Sequence, residues 1–138
     1  MPARGRFDRP CRRSYNTSMM EKTALQTTEY AQMAVDVAEE KQASDIVLLD
    51  IREVSDFADY FVILTAESNR QMAMLSEEIE HALERSGYAR HHREGTPQGG
   101  WMLLDFGDVV VHIFGPEERE FYSIESAWSE GVEVVRIQ

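Results

Sequence analysis

Two carboxylates separated by Phe106 and Gly107, Asp105 and Asp108, lie between a tryptophan, Trp101, and a histidine, His112, in an otherwise apolar stretch of the chain. Side chains of these types at this spacing suit three kinds of chemistry. Paired carboxylates, with Asp50 as a third, are the ligand set for the Mg²⁺ of nucleotidyl transfer. An imidazole near carboxylates suits a general base or a metal ligand. A large aromatic ring beside two carboxylates suits an interface, the ring as anchor and the carboxylates as receivers of a partner's Arg or Lys.

The spacing separates these readings. Nucleotidyl transfer needs two carboxylates set two apart on one strand face and a Gly-Ser phosphate cradle upstream. Here a turn glycine splits Asp105 from Asp108, and residues 65–68 contain no glycine. Neither catalysis nor a metal is therefore expected. His112 alternates within an apolar run, the pattern of a packed or hydrogen-bonded strand residue. Cys11 is the only cysteine and has no ligand set around it, which fits a reducing compartment and excludes both a disulfide framework and a thiolate zinc site. His91 and His92 sit among Arg90 and Arg93 as a solvated edge, and Arg70 reads as a solvent-facing residue of a helix's first turn.

The elements that position these residues follow from periodicity. Tyr30, Met33, Ala34, Val37 and Ala38 have helical spacing from a capping Thr28 to about Gln42. Residues 46–51 and 60–65 are continuous β-branched and leucine runs, the mark of strands covered on both faces. Ser68 and Gln71 form a capping box, followed by the stripe Met72, Leu75, Ile79 and Leu83 and by the stop at Gly87. An edge strand is expected near residues 88–93, then a glycine-rich loop, then a hairpin with arms 101–106 and 108–114. Pro116 opens a third helix with Phe121, Ile124 and Trp128 on one face, a stripe that suits core packing or a dimer seam.

A two-residue connection at Phe106 and Gly107 pairs Asp105 with Asp108, Leu104 with Val109, Leu103 with Val110, Met102 with Val111 and Trp101 with His112. Met102, Leu104, Val109, Val111 and Ile113 then share a core face, and Trp101, Leu103, Asp105, Asp108, Val110 and His112 share the other. A bulged three-residue loop would reshuffle these faces. The mixed face is either plain solvent-facing sheet or a recognition surface.

The motifs Asp50-Ile51-Arg52, Ser55, Ala58-Asp59-Tyr60-Phe61-Val62-Ile63, Thr65, Ser68-Asn69-Arg70-Gln71, Glu94-Gly95, Trp101 with Leu103-Leu104-Asp105-Phe106-Gly107-Asp108, the run to Phe114, and Arg119-Glu120-Phe121-Tyr122 with Glu125 and Trp128 occur in this order. In this series the chain resembles the Iojap-like ribosomal silencing factors over residues 28–128. The resemblance implies a single α/β domain related to the nucleotidyltransferase fold, a mixed sheet of about five strands flanked by helices, and no enzymatic activity. It implies docking on the large ribosomal subunit through its fourteenth protein, which blocks the small subunit and represses translation, with a homodimer in some members. Trp101, Leu103, Leu104, Asp105 and Phe106 match the segment associated with that contact, and Asp108 and His112 join them from the mixed face.

Composition agrees. With 43% apolar residues over 138, the chain has material for one core. Residues 1–18 carry five arginines against Asp8, a local +4, so with a net charge of −11 the remainder stands at −15. Such a body, without a Lys/Arg cluster, repels nucleic acid and is steered toward a basic protein. We therefore expect a basic leader over 1–27, read as an organellar targeting segment or a mis-assigned start, a domain over 28–128 and a tail over 129–138. No membrane span, no cofactor and no direct nucleic-acid site are expected, and the setting is cytoplasmic.

Overall fold

The two longest apolar runs of the chain become neighbouring central strands, and the rest of the sheet grows outward from them. In this computed structural model the description covers residues 17–88 and 92–138, with the side chains of 17–26 outside it. The elements are α1 (Thr17–Glu40), β1 (Ser44–Asp50), β2 (Tyr60–Thr65), α2 (Asn69–Arg85), β3 (His92–Thr96), a 3₁₀ turn (Pro97–Gly99), β4 (Trp101–Asp105), β5 (Val109–Phe114), α3 (Pro116–Tyr122), α4 (Ile124–Ala127) and β6 (Val132–Ile137). The sheet order is β3-β4-β5-β2-β1-β6, with β2 and β5 parallel and the other neighbours antiparallel. This is a single α/β domain on a mixed sheet of six strands.

The sixth strand corrects the expected tail. Residues 132–137 pair with β1, from Ile46 opposite Ile137 to Asp50 opposite Val132. Val135 and Ile137 pack on the core from there. The first helix also differs, since it starts at Thr17 and not at Thr28. Residues 17–27 contain Met, Glu, Lys, Ala, Leu and Gln without Gly or Pro, so nothing in their propensities stops the helix. Thr28 is thus an internal residue whose hydroxyl bonds Tyr60 Oη at 2.9 Å. The arginines of the leader lie outside the described residues.

α2 forms as its sequence signals require. The Ser68 hydroxyl accepts the Gln71 N–H at 3.0 Å. The Gln71 side chain reaches back one residue further than a capping box does, accepting the Glu67 N–H at 2.7 Å, while its amide donates to the Gln42 carbonyl. At the other end, Gly87 N–H and Tyr88 N–H return to Glu84 and Leu83 carbonyls. Met72, Leu75, Ile79 and Leu83 are all buried.

The helices α1 and α2 cover one face of the sheet. There Ala31, Ala34, Val35 and Ala38 meet Leu48, Val62, Leu64, Leu104, Val111 and Ile113. The other face holds Val47, Leu49, Phe61, Ile63, Val110 and Phe114, and among the described residues Ile124, Trp128 and neighbouring side chains lie over them. Among the described residues no helix is long and apolar enough to cross a membrane.

Candidate functional site

The hairpin of β4 and β5 turns one residue later than expected. Asp105 stands opposite Val110, Leu104 opposite Val111, Leu103 opposite His112, Met102 opposite Ile113 and Trp101 opposite Phe114. Phe106 N–H donates to the Val109 carbonyl at 2.9 Å, so Gly107 and Asp108 are the turn. Gly107 has φ +95°, a conformation glycine adopts without strain, and its N–H is capped by Asp105 Oδ1 at 2.8 Å. The register has slid by two residues, so the face assignments survive and the Asp105–Asp108 pairing does not. Asp105 is held by the turn, and the Asp108 carbonyl accepts the N–H groups of Asp59 and Tyr60.

This register divides the expected contact residues. Leu104 and Phe106 are buried on the helix side, at 0% and 2% exposure, and support the hairpin from beneath. Their side chains do not reach a partner. Trp101, Leu103, Asp105 and Asp108 are half-buried. His112 lies on the same side as Trp101 and Leu103 but is 3% exposed, so its side chain lies below the surface.

Around Trp101 the side chains form a clamp. Its ring lies 5.0 Å from Phe114 and 4.5 Å from Tyr122, and its Nε1–H donates to His112 Nδ1 at 3.3 Å. Tryptophan nitrogen only donates, so the imidazole proton sits on Nε2. That atom has no hydrogen-bond partner among the described residues. Burial makes the charged imidazolium costly and lowers the His112 pKa from its ordinary 6.5 to about 4. The ring is therefore neutral near pH 7, and Nδ1 stays an acceptor.

The aromatic surface extends further than the sequence pattern reveals. Phe57, 62% exposed, meets Trp128 edge-on at 5.6 Å, and Trp128 meets Phe61 at 5.3 Å. Phe121 is 80% exposed and contacts Tyr122. Ser55 Oγ fixes the loop that presents Phe57, accepting the N–H groups of Phe57 and Ala58. The expected stripe of Phe121, Ile124 and Trp128 is broken, because Ser123 has φ +47° and separates α3 from α4. Ile124 and Trp128 pack on the sheet, whereas Phe121 points to solvent. The helical period at 121, 124 and 128 carried no signal of that break.

The break brings Glu125 back to Arg119. This arginine is buried at 8% exposure, a residue that spacing alone gave no role. It donates to Glu125 at 3.0 Å, to the Asp45 carbonyl at 2.7 Å and to Thr65 Oγ1 at 2.8 Å. Arg136 of β6 joins the cluster through Asp45 at 2.9 Å and Glu125 at 3.1 Å. Desolvation works against ionisation of Glu125, but the hydrogen bonds and charges of Arg119 and Arg136 outweigh it and hold its pKa below the ordinary carboxylate value. The cluster ties the last strand to α3 and to the start of β1.

Asp50, the third carboxylate of the enzymatic alternative, is gripped by Arg52 at 2.6 and 2.9 Å. That bond raises the Arg52 pKa further above its already high value. Among the described residues no three His, Cys, Asp or Glu side chains are grouped to hold a metal ion. Arg70 is exposed on the first turn of α2, and His92 pairs with Glu94 at 2.9 Å on the edge strand. His91 and Arg90 lie outside the described residues.

The assembled feature is thus an open aromatic sheet face with a fixed tryptophan and carboxylates at the hairpin end. Residues 24–138 match the family model described as ribosomal silencing factor during starvation, RsfS. The chain belongs to this family. A ribosomal silencing factor RsfS from Halalkalibacterium halodurans is 33% identical over 106 residues, 77% of this chain and 91% of that protein. A mouse protein named mitochondrial assembly of ribosomal large subunit protein 1 is 33% identical over 102 residues, 70% of this chain and 44% of its own length. A crystal structure of a Chromobacterium violaceum protein superposes with a TM-score of 0.71 at 32% identity, covering 74% of this chain and 85% of that one. The match of the silencing-factor family runs through β6, beyond residue 128 where the motif series ends. The strand that the Arg119 cluster fastens is therefore inside the RsfS region.

Proposed function

We propose that this silencing factor docks on the large ribosomal subunit through the subunit's fourteenth protein, prevents the small subunit from joining and so represses translation. The observation that carries the reading is the open face around Trp101, where a large ring held from three sides shares a sheet face with Leu103 and, toward the hairpin turn, Asp105 on an acidic body. Buried aromatic anchors dominate the energetics of protein interfaces, and a carboxylate on the same face suits a basic partner. The names of the relatives, one a silencing factor and one tied to large-subunit assembly, support the same partner. The action is steric, so it needs no catalytic group. A factor working on the cytoplasmic ribosome pool would act on subunits that are still apart.

Sedimentation of the purified chain with separated subunits tests this. The chain is expected to travel with the large subunit, to leave the small subunit free, and to inhibit joining far more than it splits preformed couples. Trp101→Ala is expected to weaken large-subunit binding by about tenfold or more, and Asp105→Asn, which keeps the cap on Gly107, to weaken it less. Binding to both subunits alike, or wild-type affinity in Trp101→Ala, refutes the docking face.

A further inference from the structure

We propose that His112 is a positioning residue for this face, holding the Trp101 indole through Nδ1 in the pose that meets the partner. The inference rests on the docking reading above and adds to it the origin of the anchor's rigidity.

Three observations lead to it. The first is direction. Phe114 and Tyr122 flank the indole, but stacked rings tolerate sliding and a flip of the indole about its χ2 axis. The Nε1–H to Nδ1 bond at 3.3 Å is the one contact of the clamp that distinguishes one edge of the indole from the other. The second is what remains on the surface. A tryptophan on an open face normally turns its N–H to water, whereas here the donor is spent inward and the ring presents carbon to solvent. A ring with a satisfied donor loses no water-bound polar group when a partner covers it, and one already fixed loses little rotamer freedom.

The third observation is the cost of the histidine itself. Around it on this face lie Val110, Phe61 and Phe114, apolar and buried, so an aliphatic residue at 112 would be covered as well. Instead the position holds an imidazole with a buried, unpartnered Nε2. Burying a polar atom without a partner is unfavourable, so packing alone does not account for the ring. Nδ1, with Trp101 as its donor, does. Phe61 closes the far side at 4.7 Å and keeps the imidazole in place.

The experiment uses the full chain with three readouts: melting temperature, solvent exchange of the Trp101 indole N–H by NMR, and affinity for purified large subunits. His112→Leu removes the acceptor, and His112→Asn returns one at the position of Nδ1. His112→Leu is expected to melt at or above the wild-type temperature, to speed exchange of the Trp101 indole proton, and to bind about three- to tenfold more weakly. His112→Asn is expected to recover both slow exchange and affinity. Trp101→Phe, which keeps a ring but loses the donor, is expected to weaken binding in the wild type and to add little in the His112→Leu background. Wild-type affinity in a folded His112→Leu, with Trp101→Ala still impaired, overturns the positioning role and spares the docking face. Wild-type affinity in Trp101→Ala sinks the docking reading itself. Should His112→Leu not fold, Trp101→Phe decides, because full affinity there means the hydrogen bond does not set the pose.

Discussion

The two faces of this sheet are built from the same strands and obey different rules. Beneath α1 and α2, Val62 and Leu64 of β2, Leu104 of β4 and Val109, Val111 and Ile113 of β5 are aliphatic and wholly buried, and the one phenol among them, Tyr60, bonds Thr28. On the opposite face the alternate positions carry Phe61, Trp101, Leu103, Asp105, His112 and Phe114, partly covered by short helices and by one another. Aliphatic packing against helices fixes the fold, whereas aromatic rings with a few hydrogen bonds keep a surface open and shaped at modest expense in stability. The contrast teaches that adjacent residues of one strand serve separate purposes: Leu103 and Asp105 face outward from the same segment in which Leu104 belongs to the core.

The largest expected effect breaks the closed face. Leu104→Ala should destabilise the domain by about 2–5 kcal/mol, with chemical denaturation as the measurement, while the folded fraction keeps its large-subunit affinity. A loss of about 0.5 kcal/mol or less would mean that the face is not packed as described.

Next in size is the pH dependence that His112 confers on the open face. Its folded pKa of about 4 lies below its ordinary 6.5, so between those values the unfolded chain binds a proton that the folded chain does not. Stability therefore falls as pH drops from 6.5 to 4, by about 3 kcal/mol from this group, and levels off below. Unfolding free energies of wild type and His112→Leu across that window isolate the contribution, and parallel curves would contradict it. The smallest effect sharpens the contrast between exposed and buried aromatics. Phe121→Ser should change stability by less than about 0.5 kcal/mol, because the ring is 80% exposed. A larger loss would show that Phe121 is packed.

Much of this molecule is written in local pattern. The runs at 46–51 and 60–65, the cap at Ser68, the stripe from Met72 to Leu83 and the alternation of the hairpin are period and propensity signals, and each formed the element expected of it. The hairpin faces came out correctly even though the register was two residues off, because a strand repeats every two residues and an even slip returns each side chain to its own side. The family was legible from the ordered motifs as well, since they span the domain.

What only the tertiary structure decided depends on contacts between residues far apart in the chain. The sequence around Ser123 continues a helical period, yet the buried Arg119 draws Glu125 back and the helix breaks there. The segment 132–137 looked like a tail because its partner, β1, lies more than eighty residues earlier, with Val47 opposite Arg136. Phe57 and Trp128, in a loop and after a short helix, carry no shared pattern and meet only once both flank Phe61. His112 reads identically whether it faces water or a clamp. Periodicity assigns a side chain to a face, and only the packed neighbours on that face determine whether it is buried, what it bonds and which surface it leaves open.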